Sequence, residues 1–150
     1  MEAAMRTQRV LFICVHNSAR SQMAEAFLRL HGGETFRVES AGLEPGPLNP
    51  LAVEAMREVG VDISGAKPRS VFDLFRQGRL YDHVITVCAE GESLCPVFPG
   101  VVRRHHWPFD DPAGLTGGDE ERRVAVRAIR DAIEARVKEF VESLRNASAD

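Results

Sequence analysis

A cysteine at position 14 and an arginine at position 20 enclose the segment Cys14-Val15-His16-Asn17-Ser18-Ala19-Arg20-Ser21. A cysteine thiolate is a strong nucleophile. A guanidinium is a planar fork matched to two oxygens of a tetrahedral anion. The five residues between them leave enough backbone for successive N–H groups to converge on such an anion. Those dipoles, with the positive start of a following helix, should also favour the thiolate of Cys14. Ser18 and Ser21 are placed to hydrogen-bond the sulfur or the first helical turn. The competing reading is a buried strand-end cysteine beside a surface arginine, the ordinary role of a lone cysteine. The order of parts favours the chemical reading: strand, cysteine, loop, arginine, helix.

The other two cysteines are Cys88 and Cys95, seven residues apart across a polar segment that contains Gly91. Their spacing does not suit a structural zinc knuckle, and no fourth ligand offers itself. A structural disulfide is not expected in a cytoplasmic protein. They are either unremarkable thiols near a strand end or partners of Cys14 in thiol–disulfide exchange, which passes a disulfide along a series through mixed intermediates. Each bridge requires Cα atoms within about 7 Å, so residues 89–94 would have to rearrange, and Gly91 would ease that.

Trp107-Pro108-Phe109-Asp110-Asp111-Pro112 supplies two carboxylates beside a proline. Such a turn can simply cap a helix, or one carboxylate can protonate a leaving oxygen. Asn17 suits a tight loop because asparagine tolerates left-handed backbone angles. The histidines carry less: His16 lies in the loop with no fixed direction, and His105 and His106 point to opposite faces of a strand, so they cannot chelate one metal. No metal site is assigned.

The elements that position these residues alternate along the chain. The run Val10-Leu11-Phe12-Ile13 reads as a buried strand and residues 21–30 as a helix, with Met23, Phe27 and Leu30 at helical spacing and Gly32-Gly33 as its stop. Residues 36–40 read as a second strand. Asn49 and Pro50 start a helix carrying Leu51, Ala55, Met56 and Val59 on one face. Ser70 and Asp73 approximate a capping box for a short helix closing at Gly78. Residues 82–88 contain a third strand, and residues 101–105 a fourth. The last helix has an apolar stripe of Val126, Ile129, Ile133, Val137, Phe140 and Leu144, with Arg127, Arg130, Glu134 and Lys138 expected to face water. Such alternation predicts an α/β domain with a parallel sheet, its ligand beyond the C-terminal ends of the strands. Cys14 lies at one such end, and Cys88, closing the third strand, lies on the same edge.

The signature at 14–21, continued by Gln22-Met23-Ala24-Glu25-Ala26, resembles that of the low-molecular-weight protein tyrosine phosphatases and the related arsenate reductases. Their shared pattern is Cys, five residues, Arg, then Ser or Thr, at the end of the first strand. The resemblance covers nearly the whole chain. It implies one domain, residues 1–150 with a core of about 8–145, built on a four-stranded parallel sheet with helices on both faces. Cys88 and Cys95 match, in spacing and location, the cysteine pair of thioredoxin-coupled arsenate reductases. That match implies attack of Cys14 on arsenate, then a Cys14–Cys88 disulfide with release of arsenite, then a Cys88–Cys95 disulfide reduced by thioredoxin. Phosphate and sulfate would compete for the loop, and no bound cofactor is expected.

The resemblance further implies Asp111 as the proton donor. It also implies that Asn17, Glu25 and Ser40 help position the loop, which some members arrange around potassium. Where those members carry a hydroxyl residue and an acidic one, this chain has Lys67 and Arg69. The expectation is that the Lys67 ammonium takes the cation's place beside Asn17 and Glu25, with no potassium requirement. The alternative function is hydrolytic: a low-molecular-weight phosphatase using the same Cys14, Arg20 and Asp111. Only one tyrosine, Tyr81, is present, which supplies an aromatic collar for aryl substrates poorly. A non-catalytic oxyanion-binding domain would leave the three thiols without a use.

Composition fits these readings. At 150 residues, 44% apolar and net charge −3, the chain has the length for one core. No stretch approaches the ~20 apolar residues of a membrane span, and no charged-plus-apolar leader precedes the first strand. A cytoplasmic location is expected. No basic face suggests nucleic acid. Fraying is expected only at residues 1–8 and 146–150.

Overall fold

The computed structural model describes residues 7–88, 95–100 and 102–149. Its first strand, β1 (Gln8–Cys14), carries four consecutive residues, Val10 to Ile13, that are all fully buried. A strand apolar on both faces belongs inside a sheet that is covered on both sides. β1 is indeed interior: β2 (Phe36–Gly42) pairs on one side, β3 (His83–Thr86) on the other, and β4 (Arg103–His106) lies beyond β3. All three pairings are parallel.

The alternation of β1 divides the core. Val10, Phe12 and Cys14 pack with α1 (Arg20–Gly32), α2 (Pro50–Glu58) and the long α4 (Asp119–Ala149) through Met23, Phe27, Met56, Ile133 and Val137. Leu11 and Ile13 meet α3 (Val71–Arg76) through Val71 and Leu74, with Tyr81 and Phe98. Helices therefore cover both faces of a four-stranded parallel sheet, as expected. Among the described residues, no helix is long and apolar enough to cross a membrane.

The helix signals hold at their starts. Asn49 accepts from the Leu51 N–H at 2.9 Å with Pro50 in the first turn, and Ser70 accepts from the Phe72 N–H at 3.2 Å. Gly33 ends α1 at φ 62°, a left-handed angle that glycine adopts without steric cost. Three expectations are corrected. Leu30 and Val59 are exposed: Leu28 joins Met23, Ala24 and Phe27 on the buried face of α1, and α2 ends at Glu58, which leaves Val59 outside the helix while Ala52, Ala55 and Met56 are buried. Arg130 does not face water; its guanidinium donates to the Ala55 carbonyl at 2.9 Å and pairs with Glu58, joining α4 to the end of α2. The C-terminal residues 146–149 continue α4 rather than fray, while residues 1–6 lie outside the described part.

Candidate active site

β1 ends on Cys14 and α1 begins on Arg20, so residues 15–19 loop over the C-terminal edge of the sheet. The orientation of that loop is set by the segment that follows β2. The N–H groups of Leu43, Glu44, Gly46 and Asn49 donate to the carbonyls of Cys14, Val15, His16 and Ser18 at 2.7–3.1 Å. With these carbonyls turned outward, the N–H sides of the same peptides are left to the concave side, the condition for an anion nest. Ala19 at the N-cap has no side-chain oxygen to occupy the first N–H groups of α1. Gly42, level with Cys14, is required by the same packing: a Cβ there would lie 2.8 Å from the backbone of Val15, His16 and Asn17.

The Cys14 sulfur lies 3.1 Å from the Asn17 N–H and 2.8 Å from the Ser21 hydroxyl. Ser21 Oγ accepts from Asn17 Nδ2 at 2.7 Å, so its own proton is free to point at the sulfur. Two donors thus converge on the nucleophile. Asn17 itself, at φ 54°, is the one non-glycine residue with positive φ among the described residues. Its amide also donates to Ser40 Oγ at 3.0 Å, and its Oδ1 accepts from the Arg69 N–H and Gln22 Nε2 at 3.0 and 3.1 Å. Ser40 Oγ donates to Glu25 at 2.5 Å. Asn17, Glu25 and Ser40 therefore form one buried support beneath the loop.

Lys67 is not part of it. Its side chain is exposed, and no described hydrogen bond or ion pair reaches it. The cation on Glu25 is instead Arg29, one turn along α1, at 2.7 Å. A residue already fixed on the helix beside the carboxylate reaches it without the excursion a loop lysine would need.

Arg20 is 7% exposed and is tied to the acidic loop. It donates to the Phe109 carbonyl at 3.1 Å, and its Nη2 stands 3.8 Å from Asp111 Oδ1. Asp111 is half-exposed and also accepts from the Ala113 N–H at 2.9 Å, so it caps a short turn while facing the arginine. The capping reading of this turn is what the structure shows, with the carboxylate beside Arg20. Asp110 instead borders an apolar cavity shared with Phe109, Leu115 and Ile129. Among the loop residues, Val15, His16 and Ser18 are the open rim, and His16 Nδ1 is held by the Glu44 carbonyl at 2.7 Å.

The three cysteines are free thiols. Ile13 pairs with Thr86, so Cys14 is level with Val87, and Cys88 is one residue further along the adjacent strand direction. Cys88 is fully buried and shares the apolar cluster of Cys14. Cys95 belongs to the cluster on the opposite face, among Leu11, Ile13, Tyr81 and Phe98. Burial pushes its thiol up from the ordinary range, against the nearby Arg104 guanidinium. Residues 89–94, including Gly91, lie outside the described residues.

Sequence reasoning missed Gln22, Arg29 and the N–H groups of residues 43–49. A signal for the first two existed: Gln22, Glu25 and Arg29 recur three and four residues apart, a polar stripe on one helix face. The backbone donors have no side-chain signal.

Residues 9–149 match the family model of the low molecular weight phosphotyrosine protein phosphatases. The chain belongs to that family. Within it, the chain is 44% identical over 135 residues to an arsenate reductase of Shouchella clausii, covering 89% of this chain and 95% of that protein. Among solved structures of this family's fold, it is similar to an arsenate reductase in the oxidized state, with TM-score 0.77 and 32% identity, covering 91% of this chain and 98% of the other. A thioredoxin-dependent arsenate reductase of Corynebacterium glutamicum aligns with TM-score 0.72 and 33% identity, covering 97% of this chain and 65% of that one.

Proposed function

We propose that this protein is an arsenate reductase acting through Cys14, Cys88 and Cys95, with thioredoxin as the electron donor. The observation that carries this reading is the placement of two buried thiols. Cys14 sits under the anion loop with two donors on its sulfur, and Cys88 stands just past its level, beyond the end of the neighbouring strand at Thr86, in the same apolar cluster. A phosphatase returns its cysteine with water and has no use for the second thiol.

Arsenate binds in the loop, its oxygens facing the N–H groups and the Arg20 fork. The Cys14 thiolate attacks arsenic, and an arsenic–oxygen bond breaks as Asp111 supplies the proton that lets the oxygen leave as water. Cys88, deprotonated, then attacks the Cys14 sulfur. The S–S bond forms, the S–As electron pair stays on arsenic, and As(V) leaves as arsenite, As(III). The two electrons come from the two thiols. Cys95 next attacks Cys88, restoring the Cys14 thiolate, and the Cys88–Cys95 disulfide passes to the dithiol of thioredoxin. Phosphate and sulfate compete for the loop because they are also tetrahedral oxyanions.

The test is arsenate-dependent NADPH oxidation with thioredoxin and thioredoxin reductase, run beside p-nitrophenyl phosphate hydrolysis on the same protein. Turnover that disappears in Cys88→Ser and in Cys95→Ser is the expected result. Ester hydrolysis without arsenate-dependent oxidation would overturn the reading in favour of a phosphatase.

A further inference from the structure

The proposed relay needs a third thiol that can ionise, yet Cys95 is buried in an apolar cluster, an environment that disfavours a thiolate. A group that acts the other way comes from β4. In a parallel pair, residues level with one another share a face, and Arg104 is level with Val84, which packs in the Cys95 cluster. His105, the next residue on β4, faces the opposite side, against His83, Trp107 and Phe140. Arg104 thus lies on the Cys95 face of the sheet edge, where its positive charge opposes the effect of burial on the thiol. Among the described residues, no ion pair joins it to a carboxylate. The remaining arginines on this side are committed elsewhere: Arg69 and Arg79 to Glu39, and Arg76 to Asp73.

We propose that Arg104 is a positioning residue for the third thiol: it pairs with Cys95 as a thiolate and readies it to attack Cys88. This rests on the relay reading above. The step moves a proton from Cys95 to solvent, forms the Cys95–Cys88 bond and breaks the Cys88–Cys14 bond. Cys14 leaves as a thiolate into the Asn17 N–H and Ser21 hydroxyl. Exchange rate follows the thiolate fraction of the attacking sulfur, so the guanidinium acts on this step and not on the attack at arsenic. Other titratable groups around Cys95 are already engaged. The Tyr81 hydroxyl donates to Glu39, and His106, on the same face of β4, bonds Thr86. Glu90 and Glu92 lie outside the described residues.

The experiment measures, by peptide mapping, the pH dependence of iodoacetamide alkylation at each cysteine in the reduced full chain, for the natural protein, Arg104→Met and Arg104→Lys. The expected result is a Cys95 midpoint raised by roughly one pH unit in Arg104→Met, which is about tenfold less thiolate at neutral pH. Arg104→Lys restores most of it, and the Cys14 profile is unchanged in both. In stopped single turnovers, Arg104→Met should form the Cys14–Cys88 disulfide at the normal rate and pass it to Cys95 about tenfold more slowly. An unmoved Cys95 midpoint, or equal loss in Arg104→Lys and Arg104→Met, overturns the proposal. A shifted midpoint in a chain that shows no arsenate-dependent turnover would overturn the reductase reading and leave the pairing of Arg104 with Cys95 standing.

Discussion

Cys14 and Cys95 are both buried thiols, and their surroundings are opposites. Cys14 ends an interior strand and meets two donors that are themselves held by Asn17, Ser40 and Glu25. Cys95 lies on the other face of the sheet among Leu11, Ile13, Tyr81 and Phe98, with a backbone carbonyl and one guanidinium as polar neighbours. The first site is organised before any substrate arrives, which is how an enzyme avoids reorganisation at the moment of reaction. In the proposed relay the second is a store, a thiol kept out of the way until the first disulfide exists. A relay needs this asymmetry, because a third thiol with free access to Cys14 would form a premature bridge.

The strongest way to break the contrast is to remove the prepared nucleophile. Cys14→Ser should lower both arsenate reduction and p-nitrophenyl phosphate hydrolysis below detection, since a hydroxyl is a far weaker nucleophile; surviving activity in either assay would move the chemistry elsewhere. Cys88→Ser should separate the two activities, leaving ester hydrolysis near normal while multiple-turnover arsenate reduction stops. Asp111→Asn comes next, slowing the first step by ~10²-fold in a single-turnover assay. No slowing there would assign Asp111 to capping the turn at Ala113 and nothing more. Gly42→Ala is milder. Its methyl group would press on the loop backbone at 2.8 Å, so the KM for arsenate should rise about tenfold and unfolding should cost about 1–3 kcal/mol less.

The same contrast decides what could be read without a structure. The Cys14 site is local: strand, loop and helix are consecutive, so a run such as Val10 to Ile13 followed by Cys14, Asn17, Arg20 and Ser21 announces its geometry. The parallel sheet followed from alternation alone. What was illegible depends on distant pairings. Nothing in residues 43–49 says that their N–H groups orient the loop, because backbone donors leave no residue type behind. Arg29 could not be preferred to Lys67 as the partner of Glu25 until the turn of α1 placed it at 2.7 Å. Arg130 read as solvated because helical spacing gives a face and not the neighbour waiting on it. Cys95 shows the limit most clearly. Its spacing from Cys88 was visible, and the face of the sheet that holds it was not.

The smallest expected effect sharpens the comparison by lying on the Cys14 face without touching its chemistry. His83 opens β3 level with Val10, four residues below Cys14 and so roughly 13 Å from it along the strand. Its Nε2 donates to Gln8 Oε1 at 3.2 Å, which leaves Nδ1 to accept from His105 Nε2 at 3.0 Å. Protonating His83 would set two N–H groups against each other. Burial, then the neighbouring His105, pulls the imidazole from 6.5 down to about 4. A base with a lowered folded pKa keeps its full contribution above the unfolded value and loses it as pH falls, because the unfolded chain takes up the proton first. Stability should therefore decline between about pH 6.5 and pH 4, by about 3 kcal/mol from this group. Urea melts across that range should show a shallower decline in His83→Gln than in the natural chain. Alkylation of Cys14 and Cys95 at neutral pH should be the same in both, as the ring is neutral there in the folded chain. Equal slopes would mean that the histidine pair takes up its proton without opening the fold, and that the apolar face below Cys14 is less sealed than its packing implies.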